Sequence, residues 1–140
     1  YMGILPPIQT ALEPLHTAFY NQLSEDAALK SKVTGVYDYV DENTKFPYVT
    51  IGDPTVSPFP TKTSHGEEIL VNLHVFSKYK GKTEAFGILN LMVRAATKSD
   101  LQLEGGFTVI RMELEGMNVI TDIDGKTKHG IARFKVWVNN

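Results

Sequence analysis

Histidines are the residues of this chain best suited to metal binding or acid–base chemistry. None of the four has a second ligand at the short spacing that is typical of metal sites, and structural zinc needs a tetrahedral ligand set. They are His16, His65, His74 and His129. The chain has no cysteine, which excludes disulfides, thiolate metal sites and a cysteine nucleophile. We therefore interpret His74 as a structural histidine on a strand, and we predict no metal and no other cofactor.

The motif Asp122-x-Asp124-Gly125 resembles the beginning of a calcium-binding loop. Such a loop also needs a third acidic position and a distal bidentate glutamate. The residues that follow here are Lys-Thr-Lys-His, so both are missing. An Asp-Gly pair between two apolar runs is instead typical of a hairpin turn. We predict a turn at this position.

Two further motifs also fail to indicate catalysis. Glu67 and Glu68 are adjacent on a predicted strand, so their side chains point to opposite faces and cannot form an acid–base pair. Gly105-Gly106 lacks the glycine spacing and the Lys-Ser/Thr pair of a phosphate loop. No nucleophile-elbow motif occurs. The residues therefore predict a protein that is not an enzyme.

Composition limits the class of protein further. At 140 residues we predict a single domain, 1–140, with ordinary hydrophobic (42%) and charged (21%) fractions. A net charge of -2 argues against a dedicated nucleic-acid binder, so we predict no sequence-specific nucleic acid partner. The apolar runs are too short to span a membrane, and no signal peptide is visible. Tyr1 precedes Met2, so we interpret Tyr1 as a cloning remnant and 1–7 as a flexible segment.

A strand followed by a helix forms the centre of the predicted fold. Residues 67–79 alternate between a uniformly apolar side and a mixed side, as expected for a strand with one face on a core. After a short link, Thr83 is predicted to cap a helix through its hydroxyl. The apolar residues of this helix recur at helical spacing and are expected to cover the strand. The two apolar sets are Ile69, Val71, Leu73 and Val75 on the strand, and Ala85, Ile88, Leu89, Met92 and Ala96 on the helix.

The remaining chain predicts a further helix and more strands. An apolar stripe from Ile8 to Leu23 indicates a helix, which Pro14 should either kink or begin. Strands are predicted at 36–40, 46–52 and from Gly105-Gly106 onward, with Phe107 and Val109 facing away from Ile110, Met112 and Leu114. We predict an α+β fold with two main helices on one face of a twisted, mainly antiparallel sheet, in the order α-β-β-β-α-β-β.

Two segments that the sequence predicts to be exposed are the candidates for contact with other molecules. The segment 53–64 contains three prolines and reads as a long loop or an extended hairpin arm. Its few apolar residues predict mobility in the isolated subunit, with Phe59 as the strongest anchor for a partner. The predicted turn 126–130 is similarly basic and polar. Both segments are either solvated loops or protein–protein contacts.

Five motifs in one order resemble a known family, the tail-completion proteins of long-tailed phages, also called tail terminators or tail-to-head joining proteins. The resemblance extends from about residue 12 to residue 138. The motifs are Phe46-Pro47-Tyr48-Val49-x-Ile51-Gly52, Lys62-Thr63-x-x-Gly66-Glu67-Glu68, His74-Val75-Phe76-Ser77, Gly81-x-x-Glu84-Ala85 and Asp124-Gly125-x-Thr127-x-His129-Gly130-x-x-Arg133-Phe134.

This resemblance implies a structural virion component of α+β fold with no catalytic residues. It implies a hexameric ring that ends growth of the tail tube and joins the tail to the head connector. The implied partners are copies of the chain, the tail tube protein and a head-completion protein; the implied location is the head–tail interface, after synthesis in the bacterial cytoplasm. The alternative is a small-ligand-binding or enzymatic α+β domain. The interface candidates are Phe59, Lys62, Thr63, His65, Lys126 and His129.

Overall fold

A computed structural model describes residues 8–60 and 65–139, which fold into a six-stranded sheet with helices on one face. This confirms the predicted α+β class. The predicted flexible segment 1–7 lies outside the described residues, as do Lys62 and Thr63. The elements are α1 (Leu12–Ser24), α2 (Ala27–Lys30), β1 (Val36–Tyr37), β2 (Tyr48–Ile51), β3 (Thr55–Pro60), β4 (His65–Ser77), α3 (Thr83–Thr97), β5 (Thr108–Thr121) and β6 (Lys128–Asn139).

Strand β4 is the centre of the sheet, whose order is β1-β2-β4-β6-β5. Every pairing is antiparallel except that of β1 with β2, as predicted for a mainly antiparallel sheet. One edge of β4 carries two partners in succession: β3 opposite its first half and β2 opposite its last residues. The other edge pairs with β6 along the whole length of β4. Strand β5 forms an outer edge of the sheet.

The core lies between α1, α3 and the helix-facing residues of β4 and β6. Leu73 on β4 and Met92 on α3 are fully buried, and the alternate residues of β4 that were predicted to face the helix are all buried. Gly130 on β6 lets α3 approach closely, since a Cβ at this position would lie 2.6 Å from Val75 and 3.1 Å from Leu89. Burial of this apolar surface supplies the main stabilisation of the fold.

Helix α1 begins later than the apolar stripe predicted. It starts at Leu12, so Pro14 lies in its first turn, where a missing N–H costs no helical hydrogen bond. Of the two alternatives, Pro14 therefore marks the start of the helix. Ile8 is 79% exposed and lies outside the helix, contrary to the prediction. The residue just before the helix is held by a polar contact: the buried carboxylate of Glu67 accepts a hydrogen bond from the backbone N–H of Ala11 at 2.7 Å.

Of the helix starts that the structure describes, only that of α2 has a side-chain cap. Asp26 caps α2 by accepting the backbone N–H of Leu29 at 2.9 Å and also binds the Lys98 ammonium at 2.7 Å. These two contacts, that of Lys98 above all, lower the pKa of Asp26. Thr83 does not cap α3 as predicted, because it is already the first helical residue and Lys82 precedes it without a side-chain cap.

The predicted loop at 53–64 forms a strand over part of its length. Residues 55–60 pair with β4, so the hairpin alternative is confirmed there and the expected mobility of this part is wrong. Pro58 and Pro60 are two residues apart, and their nitrogens therefore point to the same side of the strand. On an edge strand that side can face away from the partner, which makes two prolines compatible with a ladder.

Three other boundaries differ from the predictions. Strand β1 ends at Tyr37 instead of residue 40. The turn after β5 ends before Lys128, so His129 and Gly130 belong to strand β6 and not to a turn at 126–130. Irregularities in β5 between positions 109 and 111 and between 114 and 116 each shift the alternation by one residue. Contrary to the prediction, these shifts place Val109, Met112 and Leu114 on one face, opposite Val138, Val136 and Phe134.

Candidate functional site

The face of the sheet opposite the helices, here called the open face, is the first candidate surface. No helix covers it within residues 8–60 and 65–139, and Leu70 and Arg133 on it are exposed. Aromatic and imidazole rings occupy one end of this face, and charged side chains occupy the other. Since neighbouring strands lie about 4.8 Å apart, the face is broad enough to meet another protein.

At one end of the open face, His74 and His129 share a hydrogen bond. Nδ1 of His74 lies 2.8 Å from Nε2 of His129, and Phe76 stacks on His129 with ring centroids 4.3 Å apart. Tyr48 extends the row, its ring 5.2 Å from that of Phe76. Burial lowers the pKa of both histidines, and the neighbouring charges of His129 and Arg133 lower that of His74 further. These shifts favour the neutral form of the pair.

The described part of the chain contains no group of three or more His, Asp or Glu side chains that could hold a metal ion. One ring nitrogen of each imidazole is engaged in the bond between them, one as donor and the other as acceptor. The arrangement supports packing and contact better than metal binding. Nor, over the same residues, is any helix long and apolar enough to cross a membrane.

Charged side chains form a ladder at the other end of the open face. The Lys135 ammonium lies 3.2 Å from the carboxylate of Glu115 and 3.3 Å from that of Glu68. These carboxylates, Glu115 first, raise the pKa of Lys135. The guanidinium of Arg111 lies 5.2 Å from the centre of the Trp137 ring. Glu67 points to the opposite, helix-facing side, as predicted from the alternation of a strand.

The outer edge of the sheet, formed by β5, is the second candidate surface. Its second half, residues 116–121, contains no charged residue, and no further strand pairs with β5 in the described part of the chain. Proteins usually protect such an edge with charges, prolines or bulges. Exposed apolar side chains from β5 and from α3 flank this edge. We call them the edge strip: Phe86 (56% exposed), Leu114 (39%), Met117 (51%) and Ile120 (45%).

The turn between β5 and β6 is the third candidate surface. Asp124 accepts hydrogen bonds from the backbone N–H groups of Lys126 and Thr127, at 2.9 and 2.8 Å, and from the hydroxyl of Thr127 at 2.6 Å. These bonds, the hydroxyl first, lower the pKa of Asp124 to about 2. The carboxylate therefore stays ionised and keeps the turn in one conformation. Ile123 at its tip is completely exposed.

The six predicted interface residues do not form one site. Phe59 on β3 covers Gly66, with its ring 2.5 Å from where a Cβ would be. His65 is the first residue of β4, opposite Pro60, whereas His129 pairs near the other end of that strand. Lys126 is exposed in the turn, and Lys62 and Thr63 lie outside the described residues.

The edge strip was missed by the sequence reasoning. Apolar residues at alternate positions of β5 resembled the pattern of a strand with one buried face. The uncharged run Gly116–Thr121 was the signal that could have identified an open edge, because a solvent-facing edge normally carries charge. The uncharged run identifies an open edge only if β5 is known to be the last strand of the sheet.

Comparison with known proteins shows which family this chain belongs to. The family model described as Tail completion protein gp17 matches residues 17–139. The chain belongs to this family of tail completion proteins. Tail completion protein gp17 of Bacillus phage SPP1 is 36% identical over 130 residues, which cover 93% of this chain and 96% of the relative. Membership confirms the resemblance and the assignment to the structural proteins of the phage virion tail.

Solved structures agree with the fold. The structure of the bacteriophage SPP1 gp17 protein matches with a TM-score of 0.61 at 34% identity, covering 90% of this chain and 89% of that one. A chain in the virion of a native gene transfer agent particle matches with a TM-score of 0.83 at 23% identity, covering 91% and 96%. At that identity the second likeness supports the fold of this tail completion protein and not its role.

Proposed function

We propose that this tail completion protein caps the tail tube and joins the tail to the head connector as a hexameric ring. The observation that carries the proposal is the open edge of β5, uncharged over residues 116–121, with its flanking edge strip. A subunit of a cyclic ring meets its two neighbours through two different surfaces, which together make one heterologous contact. An exposed strand edge with apolar side chains beside it is suited to one half of that contact.

The edge of β5 is suited to binding in two ways. Its free N–H and C=O groups can pair with an extended segment of a neighbour, which gives register and direction. Met117 and Phe86, each about half exposed, lie in the groove between β5 and α3 and provide apolar area for the same neighbour. Together these features favour burial of the β5 edge against another copy of the chain over its exposure to solvent.

The proposal assigns the tail tube protein and the head-completion protein to the two ends of the ring. It is supported by the family, and it requires no chemistry: the protein acts by contact alone and is not an enzyme. The arm residues Phe59, Lys62, Thr63 and His65 are proposed to meet a neighbouring subunit or the tube. Lys126 and His129, near the opposite end of the sheet, remain candidates for another interface.

The test is to introduce charge into the edge strip. In the double variant Met117→Lys/Ile120→Lys, two lysines on β5 should prevent a neighbour from docking, because their ammonium groups would have to be desolvated. We expect self-association, measured by sedimentation and native mass spectrometry on free protein and on purified tails, to fall at least about tenfold. Electron microscopy of wild-type tail ends should show sixfold rings.

The control is Tyr39→Lys, which introduces one such charge at a residue that is 81% exposed and lies outside β5. It should assemble like the wild type. If the double variant folds and still forms rings at normal concentration, β5 is not the contact between copies. If wild-type protein on tail ends shows no sixfold ring, the proposed assembly itself is wrong.

A further inference from the structure

The tip of the β5–β6 turn presents an apolar side chain on a rigid support. Ile123 is completely exposed, which is unusual for a β-branched aliphatic residue. Its own N–H donates to Asp122 Oδ1 at 2.9 Å, and the N–H of Asp122 donates to the carbonyl of Thr127 at 2.7 Å. Gly125 takes the positive φ of 73° that the turn requires. The tip therefore loses little conformational entropy when it docks.

Lysines lie to one side of this turn. Four of them line a shallow depression beside the turn, together with Tyr79 and Gly125; they are Lys78, Lys80, Lys126 and Lys128. Lys128 is buried, and its ammonium donates to the carbonyls of Lys126 and Tyr79, at 2.9 and 3.4 Å. The exposed cations of the rim are therefore the other three lysines. The two aspartates of the turn direct carboxylate oxygens at backbone N–H groups of the turn itself. The end of the molecule at this turn thus combines an apolar tip with a cationic rim, although the whole chain carries a net charge of -2.

We infer that this tip, Ile123 with its lysine rim, binds an apolar socket with an acidic rim on a different tail protein. The inference rests on the proposed function. The turn projects along the strand axis beyond the end of the sheet, whereas neighbours in the proposed ring meet side by side at the β5 edge. A surface at the strand end therefore lies outside that side-by-side contact and is available to a different protein. An apolar anchor within a charged rim is the usual anatomy of a protein interface.

A nucleic acid is the weaker occupant for this surface. Ile123 has no hydrogen-bonding group to offer to a phosphate. The carboxylates of Asp122 and Asp124 accept hydrogen bonds from N–H groups of the turn itself, so these N–H groups are not available to a phosphate. A protein socket satisfies both the apolar and the charged parts of the tip, because its acidic rim can pair with the lysines while the isoleucine is buried.

The experiment measures binding of the full-length protein to two purified probes, the head-completion protein and the tail tube protein of the same phage. Ile123→Ser should weaken binding to one of them by at least about tenfold, mainly through faster dissociation. Lys80→Gln/Lys126→Gln should slow association and reduce its dependence on salt. Ile8→Ser is the control for the first variant, since Ile8 is also exposed (79%). It lies two residues before Thr10, whose hydroxyl donates to Glu67 towards the other end of the sheet. Lys30→Gln on α2 is the control for the second.

Each result separates the inference from the proposed function. If wild type binds neither probe, the joining function fails and the inference fails with it. If wild type binds and Ile123→Ser binds equally well, only the inference is wrong. Loss of self-association without loss of probe binding would make the tip a contact between copies. Tight binding of a DNA duplex, lost in the lysine variant while both probes still bind, would make the rim a nucleic-acid surface.

Discussion

Strands β6 and β5 are hydrogen-bonded neighbours along almost their whole lengths, yet they differ sharply in burial. Ala132 and Phe134 on β6 are at most 1% exposed, whereas their partners across the ladder, Met117 and Leu114 on β5, are 51% and 39% exposed. Both pairs face the helices. The difference arises because α1 and α3 reach across the sheet as far as β6, and β5 lies one strand further out.

This comparison separates the part of the protein that stabilises the fold from the part that is available for assembly. Stabilisation by burial is about 25 cal/mol per Å² of apolar surface, so the covered strands β4 and β6 contribute most of it. An edge strand that keeps its apolar residues exposed contributes less to the monomer and can bury them against another molecule. The predictions below test this division.

The largest expected effect is on the covered strand β4. Leu73→Ala removes a fully buried side chain under α3 and should reduce the free energy of unfolding by about 2–5 kcal/mol. Met117→Ala on β5 removes a half-exposed side chain and should cost about 1 kcal/mol or less. Urea denaturation of both variants measures the difference. Equal losses would mean that β5 is as much a part of the core as β4.

A smaller effect is expected where the helix approaches the sheet. Gly130→Ala places a methyl group 2.6 Å from Cγ1 of Val75 and should cost about 1–3 kcal/mol in unfolding free energy. The control is Gly116→Ala on β5, where the added Cβ has no described atom within 4 Å. There the reduced entropy of the unfolded chain should leave stability unchanged or slightly higher. Thermal melting of the two variants gives the comparison, and a stable Gly130→Ala protein would contradict the close packing of α3.

The smallest effect concerns the imidazole pair on the open face. Burial lowers the folded-state pKa of His74 and His129 below the usual 6.5, so the unfolded chain binds more protons in the acidic range. Arg133 disfavours protonation of His74, while Asp122 partly favours that of His129. Stability from this pair is complete above about pH 6.5 and decreases as the pH falls through the lowered folded-state pKa values.

The measurement is the urea midpoint at about pH 7.5 and about pH 5. The wild type should be less stable at the lower pH, and His74→Gln/His129→Gln should lose part of that dependence. Other titratable groups also make the stability of both proteins depend on pH. The result is therefore the difference in pH dependence between the wild type and the variant. Identical slopes would show that the pair does not couple to folding.

Periodicity was enough to predict the strand–helix centre of this protein. The apolar residues of β4 and α3 repeat at two and at about 3.6 positions, and these periods follow from backbone geometry that is local to each element. The same alternation placed Glu67 and Glu68 on opposite faces correctly. The Asp-Gly turn was likewise predictable, since a left-handed glycine is a local requirement.

The sequence was less informative where pairing between distant segments decides the structure. Residues 55–60 looked like a mobile loop because prolines cannot donate to a ladder, but on an edge strand paired with β4 their nitrogens can face away from the partner. The irregularities in β5 also had no local signal, and they moved Met112 and Leu114 onto the helix-facing side of the sheet with Val109.

By itself the sequence determined the α+β class and, through the order of its motifs, the tail completion family. Both follow from the periodicity of apolar residues within each element and from residue identity, and neither requires knowledge of the folded structure. Only the tertiary structure decided which apolar residues are buried and which remain exposed. Met117 and Val136 are both apolar residues of long strands, but their burial depends on the number of strands between each residue and the nearest helix. That number is set by long-range pairing.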